Sequence, residues 1–155
     1  MDANKVVEKL IEKGMTISFA ESCTGGLLAA TFVDVPNASK VFNESFVTYS
    51  DESKIIRLGV NKDTIEKHSV YSQEVADEMA ILVAKITKSN IGVGISGIAG
   101  PSGGDEENPV GTVYISILIN KDLYSYKEYF KNQTRNEVRN STVKFVINKL
   151  EELLN

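Results

Sequence analysis

The chain contains one cysteine and one histidine, and each scarcity removes a class of chemistry. A single cysteine, Cys23, forbids an intrachain disulfide and suits a reducing cytoplasm. A zinc site needs several His, Cys or carboxylate ligands at defined spacing. His68 stands without such company, so no metal or other cofactor is expected. No segment approaches the roughly 20 apolar residues that span a bilayer. The opening Met1-Asp2-Ala3-Asn4-Lys5 lacks the apolar run of a secretion signal. Basic excess is missing too: 17 Lys and Arg face 21 Asp and Glu, a net charge of −4. That argues against a dedicated nucleic-acid binder but leaves room for a local basic pocket that holds a small anion. These absences predict a cytoplasmic protein with neither a membrane nor a nucleic-acid partner.

What is present suits one domain over residues 1–155. The hydrophobic fraction of 42% is enough for a real core. Val6, Val7, Leu10 and Ile11 form a helical stripe closed by Gly14. Met15 to Ala20 reads as a strand, Ser22 to Gly26 as a turn, and Gly26 to Val35 as a helix apolar on nearly every side. A strand or bent pair of strands is expected over Val41 to Ser50, followed by a short helix from Glu52 to Leu58 capped by Asp51, and another over Asn61 to His68. Ser72 caps a long helix reaching Lys88, with Val75, Met79, Leu82, Val83 and Ile86 inward. Ile91 to Ser96 has the continuous apolar character of a central strand. A glycine-rich loop from Gly97 to Gly111 leads to a hairpin, Thr112 to Asn120 and Leu123 to Phe130. Thr134 with Glu137 forms a capping box that opens a last helix to Leu154. The order predicts a single α/β layered domain with a mixed β-sheet covered by helices.

The segment Ala20-Glu21-Ser22-Cys23-Thr24-Gly25-Gly26 concentrates the chemistry. A strand that runs through a glycine turn into a helix displays a side chain at a fixed corner. It also offers backbone N–H groups to an oxyanion or phosphate. Ser22 at that corner is either a nucleophile or a helix cap, and the turn alone does not decide. A nucleophilic serine needs a base. His68 sits in a polar helix end, where a solvated imidazole near the helix dipole is the simpler reading. A lysine whose pKa is lowered by burial serves instead. Tyr49 and Lys54, at a strand end and on the next helix, can face one cleft, with the Tyr hydroxyl relaying or orienting a proton.

Three stretches taken together resemble the CinA carboxy-terminal domain family, the nicotinamide-nucleotide amidases. They are the Ser22 turn, Phe46-Val47-Thr48-Tyr49-Ser50 through Lys54, and Ser96-Gly97-Ile98-Ala99-Gly100-Pro101-Ser102-Gly103-Gly104 with Pro109-Val110-Gly111-Thr112-Val113. The resemblance implies a stand-alone amidase form without the extra amino-terminal domain of some members. It also implies hydrolysis of the carboxamide of nicotinamide mononucleotide to nicotinate mononucleotide and ammonia. Ser22 would attack the amide carbon, Lys54 would take its proton directly or through Tyr49, and water would release the acyl ester without a metal. Ser102 stands where the family often has aspartate.

For the nucleotide substrate the expected contacts are Glu21, Thr24, Gly25, Gly26, Gly97, Gly100 and Ser102, with Arg135 and Arg139 on the phosphate. Backbone N–H groups from Thr24 to Gly26 are expected to hold the oxyanion. Cys23 is expected to be a packed thiol. Gly92-Val93-Gly94-Ile95-Ser96-Gly97 matches a dinucleotide fingerprint by letter, but its glycines lie inside a strand, where small residues permit close packing. The alternative function is a non-catalytic nucleotide-binding regulatory module linked to competence or DNA damage. A homo-oligomer is expected, a dimer by default.

Overall fold

The computed structural model describes residues 2–155. Helix α1 (Ala3–Lys13) is capped by Asp2 and closed by Gly14 in the left-handed conformation. It leads into β1 (Ile17–Glu21), α2 (Leu27–Val33), a single 3₁₀ turn (Ala38–Lys40) and β2 (Phe42–Val47). Next come α3 (Asp51–Ser53), which widens into a π-type turn over Lys54–Leu58, then α4 (Lys62–His68) and α5 (Gln73–Thr87). The chain ends with β3 (Ile91–Gly97), β4 (Thr112–Ile119), β5 (Asp122–Tyr129) and α6 (Arg135–Leu153).

The five strands form one mixed sheet in the order β2-β1-β3-β4-β5. β1 runs parallel to both β2 and β3, while β4 and β5 continue antiparallel as the expected hairpin. On one face, α1, α2 and α6 pack Val6, Leu10, Leu28, Phe32, Val146 and Leu150 onto Phe19, Val93, Ile115 and Ile117. On the other, α5 presents Val75, Met79 and Val83 with Leu58 and Val60. Helix α5 lies unusually close to β3. A Cβ on Gly92 would stand 2.1 Å from the Ala80 carbonyl oxygen, and one on Gly94 would stand 2.2 Å from that of Ala76. Gly92 and Gly94 of the fingerprint therefore seat a helix against a sheet. Gly94→Ala pushes against the Ala76 and Ala80 backbone and the Met79 Cβ, none of which can swing aside, so a loss of about 3 kcal/mol or more is expected. Equilibrium urea unfolding measures it.

Three expectations need correction. Helix α2 is shorter than predicted and buries one face only: Leu28 and Phe32 are inside, whereas Val33 is 64% exposed. Its neighbours there are the edge strand and solvent, so an all-round apolar sequence meets a core on one side. The short helix after β2 is capped by Ser50 rather than Asp51, in a reciprocal box with Ser53. Ile86 at the end of α5 lies beyond the packed stripe and is exposed, as Ile11 is on α1.

Candidate active site

The carboxyl ends of the three parallel strands meet at one edge of the sheet. The chain leaves β1 for β2 on one side and later returns to β3 on the other, so a crevice opens above β1 and β3. Such a switch point is where open α/β sheets bind ligands. A cleft of about 130 Å³ sits there. Its walls come from Ser22 and Cys23 after β1, Tyr49, Asp51 and Lys54 after β2, and Gly97, Gly100 and Ser102 after β3, with Arg135 at the start of α6.

Ser22 and Lys54 are in direct contact. The Lys54 Nζ lies 3.1 Å from Ser22 Oγ and donates to the Thr48 carbonyl at 2.8 Å. Both side chains are buried; Lys54 is 1% exposed. From the start of the wide turn Lys54–Leu58 the amine reaches the segments that follow β1 and β2, away from solvent. Burial pushes the Lys54 pKa below its ordinary value near 10.5, with Asp51 pulling weakly the other way. In its neutral form the amine has a lone pair to accept the hydroxyl proton while still donating to Thr48.

Tyr49 is not a relay in this arrangement. Its ring is 58% exposed at the cleft rim, and its hydroxyl accepts a hydrogen bond from Arg135 at 2.6 Å. Lys54 reaches the serine without it. Arg135 also donates to the Gly100 carbonyl at 2.6 Å, tying the glycine loop, the β2 exit and α6 together at the mouth.

Five expected substrate contacts face elsewhere. The Glu21 carboxylate is fully buried and accepts from the Thr24 hydroxyl and from the Leu28 and Ala29 N–H groups. It caps α2 from inside the protein, so no anion has access to that helix end and Thr24 has no free hydroxyl. Gly25 donates its N–H to the Ser22 carbonyl at 2.9 Å, which removes it from the expected oxyanion donors. Gly25 and Gly26 both hold positive φ and make the turn possible; they shape it rather than line the cleft. Arg139, expected on phosphate, instead donates to the carbonyls of Cys23 and Thr24 at 3.1 and 2.9 Å. Gly97, Gly100, Ser102 and Arg135 are in the cleft as expected.

His68 lies outside the cleft, 3.7 Å from Glu74. Burial pushes the Cys23 thiol up to about 11, which leaves it protonated and unreactive at neutral pH. The sequence reading missed Asp51, Val70 and Tyr71 as cleft residues. Asp51 was legible one turn before Lys54. Val70 and Tyr71 come from the α4–α5 connection and carry no local signal.

The fold and this cleft define an α/β domain with a buried serine–lysine pair at a strand–turn–helix corner. The chain belongs to the CinA C-terminal domain family, whose model matches residues 2–154. It is 50% identical over 136 residues to a CinA-like protein of Petrotoga mobilis and 56% identical over 126 residues to one of Fervidobacterium nodosum. Those matches cover 88% and 79% of this chain but 34% and 31% of the relatives, so the chain spans about a third of their length. Among solved structures, a CinA superfamily protein of Klebsiella pneumoniae superposes with a TM-score of 0.94 at 32% identity, covering 98% of this chain and 94% of the other. The competence/damage inducible protein CihA of Agrobacterium tumefaciens gives 0.95 at 32% identity, covering 99% and 93%. Among the described residues, no helix is long and apolar enough to cross a membrane.

Proposed function

We propose that this chain is a metal-independent amidohydrolase that converts nicotinamide mononucleotide to nicotinate mononucleotide and ammonia, a step in pyridine-nucleotide recycling. The observation that carries the reading is the 3.1 Å contact between Ser22 Oγ and a buried Lys54 amine whose pKa is lowered. Burial favours the neutral form of the amine, and a neutral amine in hydrogen-bond reach is what a serine hydroxyl needs to become a nucleophile.

Lys54 takes the Ser22 proton as Oγ bonds to the carboxamide carbon. The tetrahedral intermediate collapses, the carbon–nitrogen bond breaks, and the Lys54 ammonium returns the proton to the departing nitrogen as ammonia. Water, deprotonated by the again neutral Lys54, attacks the acyl ester. Carboxylate product leaves and Ser22 regains its proton. The narrow cleft suits a flat heteroaromatic amide. The ribose phosphate then lies at the mouth, where Arg135 supplies positive charge and Gly97, Gly100 and Ser102 line the wall.

Ammonia release from nicotinamide mononucleotide tests the reading. Turnover at stoichiometric ammonia and nicotinate mononucleotide supports it; tight nucleotide binding without ammonia supports a non-catalytic regulatory module instead. Tyr49→Phe loses the hydroxyl that meets Arg135, a neutral partner for one charged hydrogen bond. A kcat reduced by roughly tenfold or less is expected in steady-state assays.

A further inference from the structure

The proposed reaction leaves a negative oxygen on the attacked carbon, and α2 cannot stabilise it, because Glu21 already fills the donors at that helix end. Among the described residues, the N–H groups of Cys23 and Thr24 donate to no acceptor. We propose that Arg139 is the positioning residue that turns these two N–H groups toward the oxyanion. The inference rests on the amidase reading above.

The argument follows three consecutive peptide planes. In a trans peptide the C=O and the next residue's N–H point in opposite directions. Arg139 reaches over from α6 and draws the Cys23 carbonyl toward its Nε at 3.1 Å, so the Thr24 N–H points away from Arg139. It draws the Thr24 carbonyl toward its second terminal nitrogen at 2.9 Å, so the Gly25 N–H points away as well. That N–H is held by the Ser22 carbonyl at 2.9 Å, which turns the Cys23 N–H in the opposite sense. Arg139 and the Thr24 side chain are absent from the cleft walls, whereas Ser22 and Cys23 are among them, and the Thr24 N–H belongs to the peptide plane that begins at Cys23. The guanidinium thus stands behind the turn and fixes its donors from the far side. Glu21 holds the other end of the turn through Thr24 and the first helical N–H groups.

A rigid planar fork that bonds two successive carbonyls is a task for arginine; lysine, a point charge on a flexible stem, holds them less rigidly. Donors fixed before the reaction are worth about 10² to 10³ in rate each when misdirected. Arg139→Gln is therefore expected to lower kcat about 100-fold with KM changed by less than about threefold, and Arg139→Lys to recover part of the loss.

The closing experiment pairs steady-state assays on nicotinamide mononucleotide with labelling of Ser22 by a fluorophosphonate. That probe forms a serine adduct whose phosphoryl oxygen needs the same donors. It needs no carboxamide substrate, so it reads the turn independently of substrate identity. Labelling of Arg139→Gln slowed in proportion to kcat, with Arg139→Lys intermediate in both, supports the proposal. A raised KM at unchanged kcat assigns Arg139 to substrate binding and overturns it. Equal labelling of wild type and Arg139→Gln overturns the positioning role while leaving Ser22 as nucleophile. A wild type that is never labelled at Ser22 and releases no ammonia removes nucleophile and positioning role together. If Arg139→Gln fails to fold, Arg139→Lys supplies the same comparisons.

Discussion

Ser22→Ala is expected to fold and to lose amidase turnover by roughly 10⁴- to 10⁶-fold, the scale seen when a serine nucleophile is removed. The structural cost is small. Alanine fits the same turn, and the deletion removes one hydrogen bond to Lys54, worth about 1 kcal/mol. Lys54 keeps its bond to the Thr48 carbonyl. Far-UV circular dichroism and thermal melting report the fold while an ammonia assay reports turnover. Loss of both together would point to Ser22 as a structural residue instead.

Lys54→Met is expected to fall to within about tenfold of Ser22→Ala, and the double variant to be no worse than either single one. Groups that act as a unit fail together. Methionine reproduces the buried stem without the amine, so packing is nearly conserved. Arginine does not rescue, because a guanidinium stays protonated. In the wild type, kcat/KM rises with pH as Lys54 loses its proton, along a limb centred below 10.5 because burial lowers that pKa. Stability carries the same signature. Above about pH 10.5 Lys54 is neutral whether the chain is folded or not. Below that, the unfolded chain binds a proton that the native protein does not, so wild-type stability falls as pH drops toward the folded pKa of Lys54 and then levels off. Lys54→Met lacks this slope. The difference between the two proteins in urea unfolding across that pH range measures it.

The sheet and its coverings were legible because apolar periodicity reports burial directly. Ile91 to Ser96 reads as a central strand and is one, and Thr134 with Glu137 announces the last helix that the structure places at Arg135. The nucleophile turn was legible too, since glycines between a strand and a helix signal a sharp corner. Its partners were harder. Nothing in composition distinguishes Lys54, buried against Ser22, from Lys62, exposed on α4. The difference arises from the wide turn at Lys54–Leu58, a backbone irregularity without a composition signal. Arg135 and Arg139 look equivalent one turn apart, yet one reaches the cleft and the other grips the turn from behind. Glu21 reads as an available carboxylate in sequence. Only the fold reveals that the following helix closes back onto it.

The central claim is that Ser22, activated by Lys54, forms a covalent acyl intermediate. Rapid acid quench during turnover of nicotinamide mononucleotide, followed by peptide mass spectrometry, tests it most directly. The account predicts that the peptide containing Ser22 gains the mass of the substrate less ammonia, and that Lys54→Met shows no such gain. Ammonia released at full rate by Ser22→Ala, with no adduct on the wild-type peptide, would contradict it.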